Sequence, residues 1–75
     1  MFKLLDTGEK FKGHAIFEGT VDGVVCGRLR KMLPNERNAK WQDWGWFPTN
    51  PNQSRFGFST FAQAEASLSK YPPRP

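Results

Sequence analysis

Residues 11–32, FKGHAIFEGTVDGVVCGRLRKM, decide the fold. Two β-rich runs flank Val21-Asp22-Gly23-Val24, and an Asp-Gly pair between such runs marks a two-residue β-hairpin turn. A two-residue turn sets the register of everything beside it. It pairs Thr20 with Val25 and Ile16 with Leu29 on one face, and Gly19 with Cys26, Phe17 with Arg28 and Ala15 with Arg30 on the other. The first face is mostly aliphatic and suits a core. The second combines Phe17 with Arg28 and Arg30.

Beyond the hairpin, Pro34, Asn35, Glu36, Arg37 and Asn38 make a polar turn, and Trp41 to Phe47 reads as a third strand ended by Pro48. Thr49 to Ser54 is a second polar loop, followed by a short strand from Arg55 to Phe58. A helix is expected to start near Thr60, whose hydroxyl can cap it with Gln63 three residues on. Phe61, Ala64, Leu68 and Tyr71 recur at three- and four-residue steps and share one helical face, with Gln63, Ser67 and Lys70 away from it. Pro72 and Pro73 terminate the helix. The expected fold is α+β: a small antiparallel sheet of three to four strands with one C-terminal helix packed on one face. Residues 1–75 form a single small domain, with an ordered core over about 9–71 and a Pro-rich tail at 72–75.

A domain of 75 residues buries only about 60% of its unfolded surface, so each large apolar side chain counts. The single Cys26 excludes an internal disulfide, and with His14 as the one histidine there is no Cys/His set for a structural metal. Stability must come from aromatic packing or from a partner subunit, a homodimer included. The N-terminal run Met1, Phe2, Lys3, Leu4, Leu5, Asp6 is too short and interrupted for a signal peptide, and no stretch approaches the roughly 20 apolar residues of a membrane span. A soluble, cytoplasmic, reducing setting is expected, with no membrane association and no cofactor.

Charge points to a partner. The chain has 11 Lys and Arg against 7 Asp and Glu, net +4. Residues 28–40 hold Arg28, Arg30, Lys31, Arg37 and Lys40 against Glu36 alone, so the whole excess sits in that segment. Such a cluster attracts the phosphates of a polyanion, with counterion release making the binding salt-dependent. It leads directly into Trp41, Trp44, Trp46 and Phe47, and flat rings beside cations suit nucleic acid. The expected site places Arg28, Arg30, Lys31, Arg37 and Lys40 on phosphates, with Trp44 and Trp46 stacking on bases or entering a groove. The competing reading is a solvated basic face over an aromatic core. Trp44 and Trp46 share one strand face and Trp41 shares the other with Phe47, so one of these sets is left outside the core.

Arg55, Phe56, Gly57, Phe58, Ser59, Thr60 and Phe61 resemble the ribonucleoprotein motif of RNA-recognition domains and, less closely, that of cold-shock domains. The resemblance implies Phe56 and Phe58 stacking bases from one strand face, with Arg55 on phosphate. It covers seven residues and lacks the glycine expected between the basic residue and the first aromatic, and no first βαβ unit accompanies it. Packing of the two rings beneath the helix is the alternative. The order of strands, the late helix and the group of Arg28, Arg30 and tryptophans are also similar to AP2-like and integrase arm-binding modules, in which an Arg- and Trp-bearing sheet enters the DNA major groove.

The same residues support a second function class, a small protein-interaction factor or inhibitor of phage or plasmid type. Trp and Arg are enriched at the energetic centres of protein interfaces. Asp43, amid the aromatic segment, favours a protein partner over nucleic acid. An enzyme is not expected. His14 has no companion to orient it or share a metal, Cys26 before Gly27 reads as a buried strand thiol, and Asp22 and Asp43 stand isolated. Gly19, Gly23 and Gly27 lack the Gly-Lys-Ser/Thr ending of a phosphate loop and read as hairpin and bulge positions.

Overall fold

The Asp22-Gly23 turn forms where the sequence places it. In the computed structural model, which describes residues 1–36 and 42–74, Asp22 has φ 52° and Gly23 φ 84°, joining β2 (His14–Val21) to β3 (Val24–Lys31). Val21 pairs with Val24 and Thr20 with Val25, and the register then shifts, because the next partners are Gly19 and Gly27. Cys26 is the extra residue of a β-bulge on β3. From there the pairings are Glu18 with Arg28, Phe17 with Leu29 and Ile16 with Arg30. These replace the expected Gly19–Cys26, Phe17–Arg28, Ile16–Leu29 and Ala15–Arg30. One residue of slip exchanges faces, so the bulge brings Phe17 and Leu29 together on one side and sets Ile16 beside Arg30 on the other.

The sheet has five antiparallel strands in the order of the chain, rather than three to four. The added strand is β1 (Phe2–Phe11), most of it N-terminal to the expected start of the core. Lys12 (φ 52°) and Gly13 (φ 84°) reproduce the backbone of the Asp22-Gly23 turn between β1 and β2. On β1, Asp6 pairs with Phe17 and Lys10 with Ala15, so Thr7, Gly8 and Glu9 bulge opposite Ile16. Gly8 takes φ 81° there and its N–H donates to Asp6 Oδ1 at 2.9 Å. The bulge interrupts an edge strand that would otherwise offer a long ladder to another chain.

A 3₁₀ turn at Pro34–Glu36 precedes β4 (Trp44–Pro48) and β5 (Phe56–Phe58). Arg37, Lys40 and Trp41, the last expected to open the third strand, lie outside the described residues. The helix α1 (Phe61–Lys70) is capped by Thr60, whose Oγ1 accepts from the Gln63 N–H at 3.0 Å. The Gln63 side chain in turn accepts from the Ser59 N–H, one residue before the usual partner in a capping box. Ala64 and Leu68 are buried as the periodicity predicts, whereas Tyr71, expected on the same face, is 71% exposed at the C-cap.

The helix approaches both edge strands, β1 and β5, and covers one sheet face. Beneath it Phe2, Cys26, Leu29, Trp46, Ala64 and Leu68 form the core, with Leu4, Phe17, Val21, Trp44, Phe58 and Phe61 packed against them. Trp46 is the centre, 1% exposed and edge-on to Phe2 at 6.0 Å between centroids. Its ring lies over two glycines. A Cβ on Gly19 would sit 2.5 Å from Trp46 Cη2, and one on Gly27 would sit 2.6 Å from Trp46 Cζ2 and 2.6 Å from the Phe47 carbonyl oxygen. Because backbone closes one side of that space, Gly27→Ala is expected to cost about 1–3 kcal/mol. Chemical denaturation that shows an unchanged midpoint would refute this account of the glycine.

Candidate nucleic-acid interface

The face opposite the helix is built by strand alternation. Lys3, Thr20 and Val25 form one cross-strand row, Leu5, Glu18, Arg28 and Phe47 the next, and Ile16, Arg30, Gly45 and Gly57 a third. Three arginines converge on Phe47. Arg28 is its direct cross-strand partner, the Arg30 guanidinium carbon lies 4.8 Å from its ring centroid, and that of Arg55 lies 5.6 Å away. Arg30 is also 4.3 Å from the Phe11 centroid, so it is layered between two rings.

These arginines differ in availability. Arg30 is held by Glu36 through two parallel bonds, Nη1 to Oε1 and Nη2 to Oε2, each 3.0 Å, and its side chain is only 17% exposed. Its charge is matched inside the protein, so Arg30 is a brace for Phe11, Phe47 and the 3₁₀ turn rather than a group presented to phosphate. Arg28 is exposed and meets Glu9 only at 3.8 Å, a contact that water and salt screen. Arg55 is exposed with its guanidinium over Phe47. Lys31 pairs with Trp44, which places it on the helix-covered side and divides the expected cluster between two faces.

The expected stacking groups need correction. Trp46 is buried, and Trp44 is half-buried against Phe17 at 6.2 Å and Phe61 at 5.3 Å. The helix claims both tryptophans for the core. Among the described residues, Phe47 and Phe11 are the phenylalanines of the open face, and neither belongs to the expected site. Phe47 was legible as the opposite-facing neighbour of Trp46, whereas Phe11 depended on recognising β1. Asp43 sits just before β4, its carbonyl accepting the Met32 N–H at 2.8 Å.

The Glu36 carboxyl is pulled from its ordinary value of 4.5 down to about 2, chiefly by the bonds from Arg30 and next by the Leu33 N–H at 2.9 Å. A carboxylate with a lowered folded-state value stabilises the fold above its unfolded value and loses that contribution as pH falls toward the folded one. Stability is therefore expected to decline between about pH 4.5 and 2 through this group. Glu36→Gln should remove that component, read as a flatter dependence of the melting temperature on pH. Equal acid sensitivity in the two proteins would count against the pairing as its source.

Compared with family models, curated proteins and solved structures, the chain matches none. Among the described residues no three His, Cys, Asp or Glu side chains are grouped to hold a metal ion, and no helix is long and apolar enough to cross a membrane.

Proposed function

We propose that this chain is a non-enzymatic nucleic-acid-binding module whose helix-free sheet face contacts the phosphate backbone. The observation that carries it is the convergence of Arg28, Arg30 and Arg55 on Phe47. Arg30, clamped by Glu36, holds the aromatic platform. Arg28 and Arg55, with Lys3 further along the same face, supply exposed cations for phosphates, and Arg37 and Lys40 add charge from the adjoining segment of sequence. Arginine suits this task because its planar fork meets two phosphate oxygens at once. The setting is cytoplasmic, where Cys26 remains a thiol.

The test is fluorescence anisotropy of labelled single- and double-stranded DNA and RNA, titrated with protein from low to physiological salt. Binding that weakens linearly in logarithmic coordinates as salt rises supports phosphate contacts. No binding at low salt rejects them. A protein partner is the second reading, favoured by Glu9 and Glu18 beside Arg28 and by Leu5 and Val25, 54% and 38% exposed, on the same face. A pull-down with purified protein as bait is then the next step.

A further inference from the structure

On the helix side of the β5 edge, α1 and β5 leave an uncharged groove of about 460 Å³, walled by Trp46, Phe56, Phe58, Leu68 and Tyr71, with Gln53, Ser54 and Ser67 as its polar lining. Two of its rings face solvent, Phe56 at 52% exposure and Tyr71 at 71%. Cations adjoin its rim: Lys70 Nζ lies 5.5 Å from the Tyr71 centroid, and exposed Arg74 directly follows Pro73, which also lines the groove. Glu65 is on the other flank of the helix, about 160° around the axis from Ser67.

We propose that this groove takes an unpaired base of a single-stranded nucleic acid. The inference rests on the phosphate-binding role of the sheet face and adds a strandedness to it. A slot with aromatic walls, an uncharged polar lining and a cationic rim complements a flat heterocycle that carries hydrogen-bonding edges and is flanked by phosphates. A duplex cannot supply that group, because its bases are paired and stacked, whereas a single strand offers each π-face to an aromatic ring. The geometry also joins the groove to the phosphate face. β5 is three residues long and forms the edge of the sheet, with Phe56 and Phe58 facing the groove and Arg55 lying over Phe47 on the other side. A strand crossing this short edge reaches both.

The test compares labelled oligothymidylate with a labelled duplex of equal length, bound to wild type and to the double variant Phe56→Ala with Tyr71→Ala. The expected result is tighter binding of the single strand by wild type, and in the variant a loss of about 10- to 100-fold for the single strand with the duplex affinity unchanged. Phe56→Tyr with Tyr71→Phe keeps both rings and should bind as wild type does. If the double variant does not fold, Tyr71→Ala alone, at the exposed helix end, carries the same expectation. Single-strand affinity retained without the rings, or equal affinity of wild type for both polymers, overturns the base-binding groove and leaves the phosphate face standing. No binding of either polymer by wild type overturns both, as does a peptide ligand captured in their place and lost in the double variant.

Discussion

Trp46→Ala is expected to unfold the domain or to lower its melting temperature by at least about 12 °C. Truncating a fully buried aromatic costs about 3–5 kcal/mol. A chain of 75 residues holds only about 4–11 kcal/mol of total stability, so this one side chain accounts for much of it. The cavity has little means of collapse, because Gly19 and Gly27 under the ring have no side chains to move into it and the strands are fixed by their ladders. Trp44→Ala should cost less, since Trp44 is only half-buried. Circular dichroism melts of both variants decide the matter. A Trp46→Ala protein that melts within a few degrees of wild type would remove Trp46 from the centre of the core.

Arg28→Ala combined with Arg55→Ala should leave the fold intact and weaken binding of any nucleic acid. Both side chains are exposed, and the one ion pair they make among the described residues, Arg28 with Glu9 at 3.8 Å, is of the screened surface kind worth about 0–1 kcal/mol. The logarithmic dependence of affinity on salt should become shallower by about 1.5, two phosphate contacts at 0.7–0.9 each. Arg30→Ala provides the contrast, because it takes from Glu36 the guanidinium that holds both its oxygens, leaving only the Leu33 N–H of the bonds described, and should lower stability before it affects binding. An unchanged affinity and salt slope in the Arg28 and Arg55 double variant would sink the assignment of the sheet face.

The parts of the fold that were legible are those decided within a few residues. Asp22-Gly23 has the positive φ of its turn built into its chemistry. Thr60 and Gln63 meet across one helical turn, and Ala64 and Leu68 fall on the buried side by period alone. Pro48 closes β4, and the short run Phe56–Phe58 is a strand. β1 was not legible in the same way. Its run from Phe2 to Phe11 mixes Lys, Asp and Glu with Leu and Phe and bulges at Gly8, so the two-residue alternation that marks a strand is broken midway. Lys12-Gly13 adopts the same backbone as Asp22-Gly23 without a short polar side chain to announce it.

The candidate site failed to be legible for a different reason. Alternation along β4 shows that Trp44 and Trp46 face one way and Phe47 the other, and it is silent on which way is inside. That choice depends on the whole sheet: the Cys26 bulge sets Phe17 opposite Leu29, the β3–β4 register sets Leu29 opposite Trp46, and the helix covers the side where these three meet. By itself, the sequence determined a small antiparallel sheet with a capped C-terminal helix and an excess of positive charge in residues 28–40, because turns, caps and charge are properties of neighbours in the chain. Only the tertiary structure decided that Trp46 is core with Trp44 packed against it, that Arg30 is a clamped brace and Arg28 and Arg55 are open, and that a groove lies at the β5 edge. Burial depends on which face another element covers, and here that is set by a one-residue bulge and by a helix docking more than thirty residues later in the chain.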